Sequence, residues 1–74
     1  MMQLWSLPPG GAAVIEAVRE PGAMGRRLAE LGFIPGERVS CLLRRNGIAA
    51  YAVRGAAVAI RRGMAARIDT EAAH

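Results

Sequence analysis

Apolar side chains recur along this chain at three spacings, and each predicts a different element. Ala13 to Val18 is a short apolar run carrying Val14, Ile15 and Val18. It is too short for a helix and reads as a first strand. Pro8-Pro9-Gly10-Gly11 ahead of it and Arg19-Glu20-Pro21-Gly22 behind it are breakers. From Ala23 to Leu31 the spacing changes. Met24, Leu28 and Leu31 fall at i, i+4 and i+7, one face of a helix, while Arg26, Arg27 and Glu30 occupy the others. Gly32 stands where a left-handed residue ends a helix, and Phe33 can fold back onto the last turn. Pro35-Gly36 predicts a type II turn.

Beyond that turn the period becomes two. In Arg38 to Arg44, Val39, Cys41 and Leu43 share one face, the pattern of a half-buried strand. Asn46-Gly47 signals a hairpin, and Ile48 to Arg54 is the return strand. A two-residue loop would pair Arg45 with Ile48 and split the large apolar residues between faces. A three-residue loop would pair Arg44 with Ile48, setting Cys41 opposite Tyr51 and Val39 opposite Val53. Side-chain alternation favours the second register, with Gly47 at a left-handed bulge position. Gly55 to Ala57 turns the chain into a strand with Val58 and Ile60; Arg62-Gly63-Met64 is a corner; Ala65 to Asp69 is a last strand with Ile68 inward. Residues 70–74 are expected to fray. The expected fold is mainly β: a small, strongly bent barrel of about five strands, with one α-helix between strands 1 and 2. Leu28, Leu31, Val39, Tyr51, Val53, Val58, Ile60 and Ile68 are expected to fill it.

Composition narrows the function classes. The chain has 74 residues, so residues 1–74 make a single domain. The apolar fraction of 53% includes 15 Ala, which leaves one small core and excludes a disordered chain. One Cys excludes an internal disulfide, and Cys41 with His74 cannot make a four-ligand Cys/His metal site. All ten basic residues are Arg, and the net charge is +4. That charge is compatible with nucleic acid or an anionic surface, and equally with ordinary solubility. No apolar run reaches the roughly 20 residues of a membrane span. No basic residue precedes Arg19, so no signal peptide is expected and the expected location is cytoplasmic.

The stretch Arg26-Arg27-Leu28-Ala29-Glu30-Leu31-Gly32-Phe33-Ile34-Pro35-Gly36 resembles the signature of the ferrous iron transport protein A (FeoA) family. Tyr51-Ala52-Val53-Arg54-Gly55 with Val58-Ala59-Ile60-Arg61 is similar to its second block, and Leu7-Pro8-Pro9-Gly10-Gly11 to its opening. The resemblance covers about Leu4 to Ile68. It implies an SH3-like barrel in the cytosol, working with the membrane ferrous iron transporter, ferrous iron transport protein B, which carries a GTPase domain. It supplies no catalytic residues. The loop at Asn46-Gly47 is shorter than in the family and lacks its proline. Similar domains also end metal-dependent repressors of the diphtheria toxin repressor type.

The residues themselves give catalysis little footing: there is no Ser-His pair and no paired carboxylates. Cys41 is expected inside, as a small hydrophobe. No cofactor is expected. His74, with Glu71 and Asp69, is a weak metal candidate on a fraying tail. The expected partner surface is Arg26, Arg27, Ile34 and Trp5, because arginine beside exposed apolar groups is typical of interface centres. An alternative surface is Trp5 with the Arg44-Arg45 hairpin. The expected function is a non-enzymatic accessory that binds and regulates the transporter, with homo-oligomers possible in principle. The alternatives are a nucleic-acid-binding small barrel, disfavoured by its three aromatics, and a metal-responsive self-associating domain.

Overall fold

The helix and strands form close to where the apolar spacing puts them, and three short elements are added. The computed structural model describes residues 2–73. Its strands are β1 (Met2–Gln3), β2 (Ala12–Val18), β3 (Arg38–Arg45), β4 (Ile48–Val53), β5 (Ala56–Arg61) and β6 (Ile68–Ala72). Helix α1 (Gly22–Leu31) joins β2 to β3, and a one-turn helix α2 (Arg62–Ala65) joins β5 to β6. The six strands form one antiparallel sheet in the order β1-β6-β2-β3-β4-β5. Three expectations are thereby corrected. There are six strands rather than about five, the helix follows the second strand rather than the first, and the sheet is open, with β1 and β5 as edges.

The expected fraying of residues 70–74 is also overturned within the described residues. Strand β6 runs to Ala72 because it has neighbours on both sides: Thr70 pairs with Met2 of β1 and Ile15 of β2. Thr70 is fully buried, and its hydroxyl donates to the Met2 carbonyl at 3.3 Å. Asp69 accepts two bonds from Arg19, Nε to Oδ2 and Nη2 to Oδ1, each 3.0 Å. A bidentate charged pair of this kind is stronger and more directional than a single contact.

The core draws on both ends of the chain. Leu4, the first residue of the 3-10 turn Leu4–Ser6, is fully buried. The Tyr51 hydroxyl donates to the Leu4 carbonyl at 3.4 Å. Tyr51, Phe33, Ile15, Ile68, Val39, Val53 and Cys41 fill the rest. Of the expected core, Leu31 stays exposed and Val58 only half-buried. Leu28 alone anchors α1 among its own residues.

The β3–β4 register resolves as both readings at once. At the base Val39 pairs with Val53 and Cys41 with Tyr51; at the tip Leu43 pairs with Ala50 and Arg45 with Ile48. A bulge at Leu42 joins the two registers. The loop is therefore the two-residue one, with Asn46 at φ 51° and Gly47 at φ 75°, the positive values of a type I′ turn. The three-residue loop is wrong at the tip, and Leu43, expected inward, points out.

Two predictions follow from this packing. Leu28→Ala should cost about 2–5 kcal/mol, while Leu31→Ala should stay within about 0.5 kcal/mol. Equal losses in denaturant titrations would show that α1 docks differently. Burial first, then the nearby Cys41 thiol, pushes Tyr51 from 10.0 up to about 12. Its charged form is disfavoured in the folded state, so stability should fall as pH rises from about 10 toward 12. Tyr51 is the only tyrosine. Its ultraviolet titration should coincide with alkaline unfolding, and an ordinary phenol titration in a still-folded protein contradicts the burial.

Candidate functional site

Helix α1 is held at both ends, and that placement creates its surfaces. At its start, Glu20 receives Arg67 at 3.0 Å, and the Arg19 N–H donates to the Arg67 carbonyl at 2.8 Å. Gly25 lies so close to this turn that a Cβ on it would stand 2.0 Å from the Glu20 carbonyl oxygen. At its end, Gly32 takes φ 113°. The N–H of Phe33 then donates to the Leu28 carbonyl at 2.9 Å and that of Gly32 to Ala29 at 3.0 Å. Phe33 folds into the core as expected. The Ile34–Glu37 turn closes with Glu37 N–H on the Ile34 carbonyl at 3.1 Å. It is stitched to β2 by Gly36 N–H on the Ile15 carbonyl at 2.7 Å, and Arg54 reaches Glu37 at 2.9 Å.

Two open grooves run along the helix so fixed. The first, about 430 Å³, is bordered by Gly25, Arg26, Ala29, Ile34 and Pro35 on the helix side and Val18 on β2. The second, about 590 Å³, lies between α1 and the edge strand β5. Met24, Arg27 and Leu31 face Val58, Arg61 and Met64 there. Met24 and Leu31 remain 43% and 40% exposed. The apolar stripe of α1 is thus split: Leu28 packs inward, and Met24 and Leu31, the latter expected in the core, face solvent across a groove.

The expected partner residues separate accordingly. Arg26 and Ile34 meet in the first groove, and Arg27 belongs to the second. Trp5 joins neither. Its half-buried ring lies under two guanidiniums, with the Arg44 and Arg62 carbons 5.2 and 5.6 Å from the ring centroid. Arg44 Nη1 also donates to the Trp5 carbonyl. Sequence pattern alone missed this pairing, since Arg62 comes from the corner after β5; the Arg44-Arg45 hairpin had been singled out only as an alternative.

Other candidate chemistry does not gather. Cys41 is buried, its thiol pushed up by desolvation, and its Sγ sits 3.7 Å from the Leu43 carbonyl. Of the tail residues, Asp69 is engaged by Arg19, Glu71 is exposed, and His74 lies outside the described residues. Among the described residues no three of His, Cys, Asp and Glu could hold a metal ion together.

An open antiparallel sheet with two bulged strands and a helix between β2 and β3 is a small SH3-like β domain. Stenotrophomonas maltophilia FeoA in complex with zinc, described as a prokaryotic SH3 domain protein, is similar at 31% identity and TM-score 0.86. The match covers 96% of this chain and 91% of that one. The family model of the FeoA domain matches residues 2–72, and the chain belongs to that family. Iron(II) transport protein A from Clostridium thermocellum is 24% identical with a TM-score of 0.87; 96% of this chain matches, spanning 45% of that protein. A manganese-dependent transcriptional repressor in complex with manganese shares the fold, at 24% identity and TM-score 0.88, over 97% of this chain and 36% of its own. No curated protein matches.

The close approach at Gly25 makes a test with an unusual sign. Inside a helix Gly→Ala ordinarily stabilises by about 1 kcal/mol. Here the added methyl must displace the Glu20 backbone, so Gly25→Ala should lower the melting temperature, by the equivalent of about 1–3 kcal/mol. A raised melting temperature would place the helix elsewhere.

Proposed function

We propose that this chain is a non-enzymatic accessory of ferrous iron uptake. In this reading it binds the cytosolic part of a membrane ferrous iron transporter, ferrous iron transport protein B, and tunes its activity through the surface of α1. The family match over residues 2–72 supports the iron-uptake setting. An activating role in ferrous iron transport has been suggested for the Stenotrophomonas relative. The observation that carries the surface is α1 itself. It exposes Met24 and Leu31 beside Arg26 and Arg27, and among the described residues neither arginine forms an ion pair. Apolar side chains rimmed by arginine, next to grooves, suit a protein partner better than a small substrate. A buried, poorly ionised Cys41 and the lack of a nucleophile–base pair among the described residues support a binding role over a catalytic one. No described helix is long and apolar enough to cross a membrane.

A second reading draws on the repressor likeness: a metal-responsive domain that self-associates. The described residues offer no donor cluster for the zinc or manganese of those relatives. Metal-dependent dimerisation in sedimentation velocity, lost on chelation, would favour it.

The test is the double variant Arg26→Glu and Arg27→Glu. Both side chains are exposed, so stability should change by less than about 0.5 kcal/mol each. Affinity for the transporter's GTPase domain, measured by calorimetry, should fall at least about tenfold, the equivalent of 1.4 kcal/mol. Unchanged affinity in the folded variant would move the contact away from α1.

A further inference from the structure

The β3–β4 hairpin end concentrates positive charge, and among the described residues no carboxylate pairs with it. From Arg38 to Ile68 the chain contains no Asp or Glu, and β3, β4, β5 and α2 all lie within that stretch. The ion pairs among the described residues use Arg19, Arg54 and Arg67. Arg44, Arg45, Arg61 and Arg62 take part in none of them. Sheet register brings these four to one end. Arg45 pairs with Ile48, and Ile48 with Arg61, so one outward row reads Arg45–Ile48–Arg61. The next outward row begins at Leu43. On the other face Arg44 and Arg62 lie against Trp5, and the Arg62 N–H donates to the Gly47 carbonyl at 2.9 Å, tying α2 to the loop.

Large apolar side chains share this end. Leu43 and Ile48 are 54% and 46% exposed, and Leu42 on the bulge is exposed as well. Clustered guanidiniums repel one another, and exposed leucine and isoleucine gain nothing from water. One partner relieves both: a bilayer surface bearing anionic headgroups. Its phosphates accept the planar guanidinium forks, while the headgroup–acyl boundary takes up Leu43 and Ile48. A nucleic acid, or a peptide of acidic side chains alone, matches the charge and leaves the apolar side chains in water. For stacked bases, moreover, the only aromatic at this end is already engaged by two guanidiniums. We propose that the β3–β4 hairpin end seats this domain on an anionic phospholipid surface. The residues involved are distinct from Arg26 and Arg27 on α1, so lipid binding and transporter binding can fail separately.

Trp5 is the only tryptophan and sits in the cluster, so the protein carries its own probe. At about 0.15 M salt, where the Debye length is about 8 Å, vesicles containing phosphatidylglycerol should shift its emission to the blue and co-sediment with the protein; phosphatidylcholine vesicles should do neither. Each basic residue at such a surface is worth about fivefold in partitioning, so Arg45→Glu with Arg61→Glu should weaken binding at least about 25-fold. Ile48→Ser should weaken it severalfold without changing the charge. Arg26→Glu with Arg27→Glu makes the same change in net charge on α1 and should bind vesicles within about fivefold of the parent, since surface attraction fades over a Debye length. The proposal is overturned by equal binding to both vesicle types, or by undiminished binding of folded Arg45→Glu, Arg61→Glu. It is overturned too if the α1 variant loses binding as fully as the hairpin variant. A short RNA that shifts Trp5 emission under salt conditions where phosphatidylglycerol vesicles do not would assign the surface to nucleic acid.

Discussion

One extra residue in β3 decides how this molecule presents itself. Val39 and Cys41 must face inward with Tyr51 and Val53, because those side chains are most of what closes the core between β3 and β4. Asn46-Gly47 must form a tight turn, because both residues accept positive φ. A continuous strand cannot meet both demands, since they differ by one residue in register. The bulge at Leu42 absorbs the difference. Past it β3 changes face: Leu43 turns to solvent alongside Ile48, and Arg44 turns toward Trp5. A second bulge, between Ile15 and Ala17, lets β2 pair with β3 at one end and β6 along its length. Bulges bend a strand and increase its twist, which is how so few residues enclose a core.

The two chain ends supply the rest of the closure. Strand β6 pairs with both β1 and β2, and Leu4 is sealed beneath Tyr51. A domain this small buries a modest share of its surface, so losing either terminal segment removes core, not trim. The arginines divide between roles in the same way. Arg19, Arg54 and Arg67 tie distant segments together, through Asp69, Glu37 and Glu20. Of the rest, Arg26 and Arg27 lie on α1, Arg44, Arg45, Arg61 and Arg62 gather at the hairpin end where binding is proposed, and Arg38 stands exposed at the start of β3. Docked closely at Gly25 and capped at Gly32, α1 leaves an exposed stripe that costs the core little.

Local chemistry was enough for much of this. Helix α1 followed from the spacing of Met24, Leu28 and Leu31 and from the cap at Gly32; the Ile34–Glu37 turn followed from Pro35-Gly36; the strands followed from alternation. The family was legible in the Arg26–Gly36 block for the same reason, since capping, turn and packing residues there are contiguous. What escaped depended on residues far apart in the chain. Which of the helix's apolar residues would be covered depended on where β5 came to lie, so Leu31 was misplaced. The tail's order depended on β1 and Arg19, some fifty or more positions away, which alternation cannot report. Trp5 found its arginines only because the N-terminal turn, the β3–β4 hairpin and α2 converge on one end. The sequence by itself determined α1, the main strands, the Pro35-Gly36 turn and the family, because those rest on neighbours within a few residues; the short β1 and α2 and the tip of the hairpin it did not. Tertiary structure alone decided which side chains were left exposed, because exposure is settled by what packs against them from elsewhere.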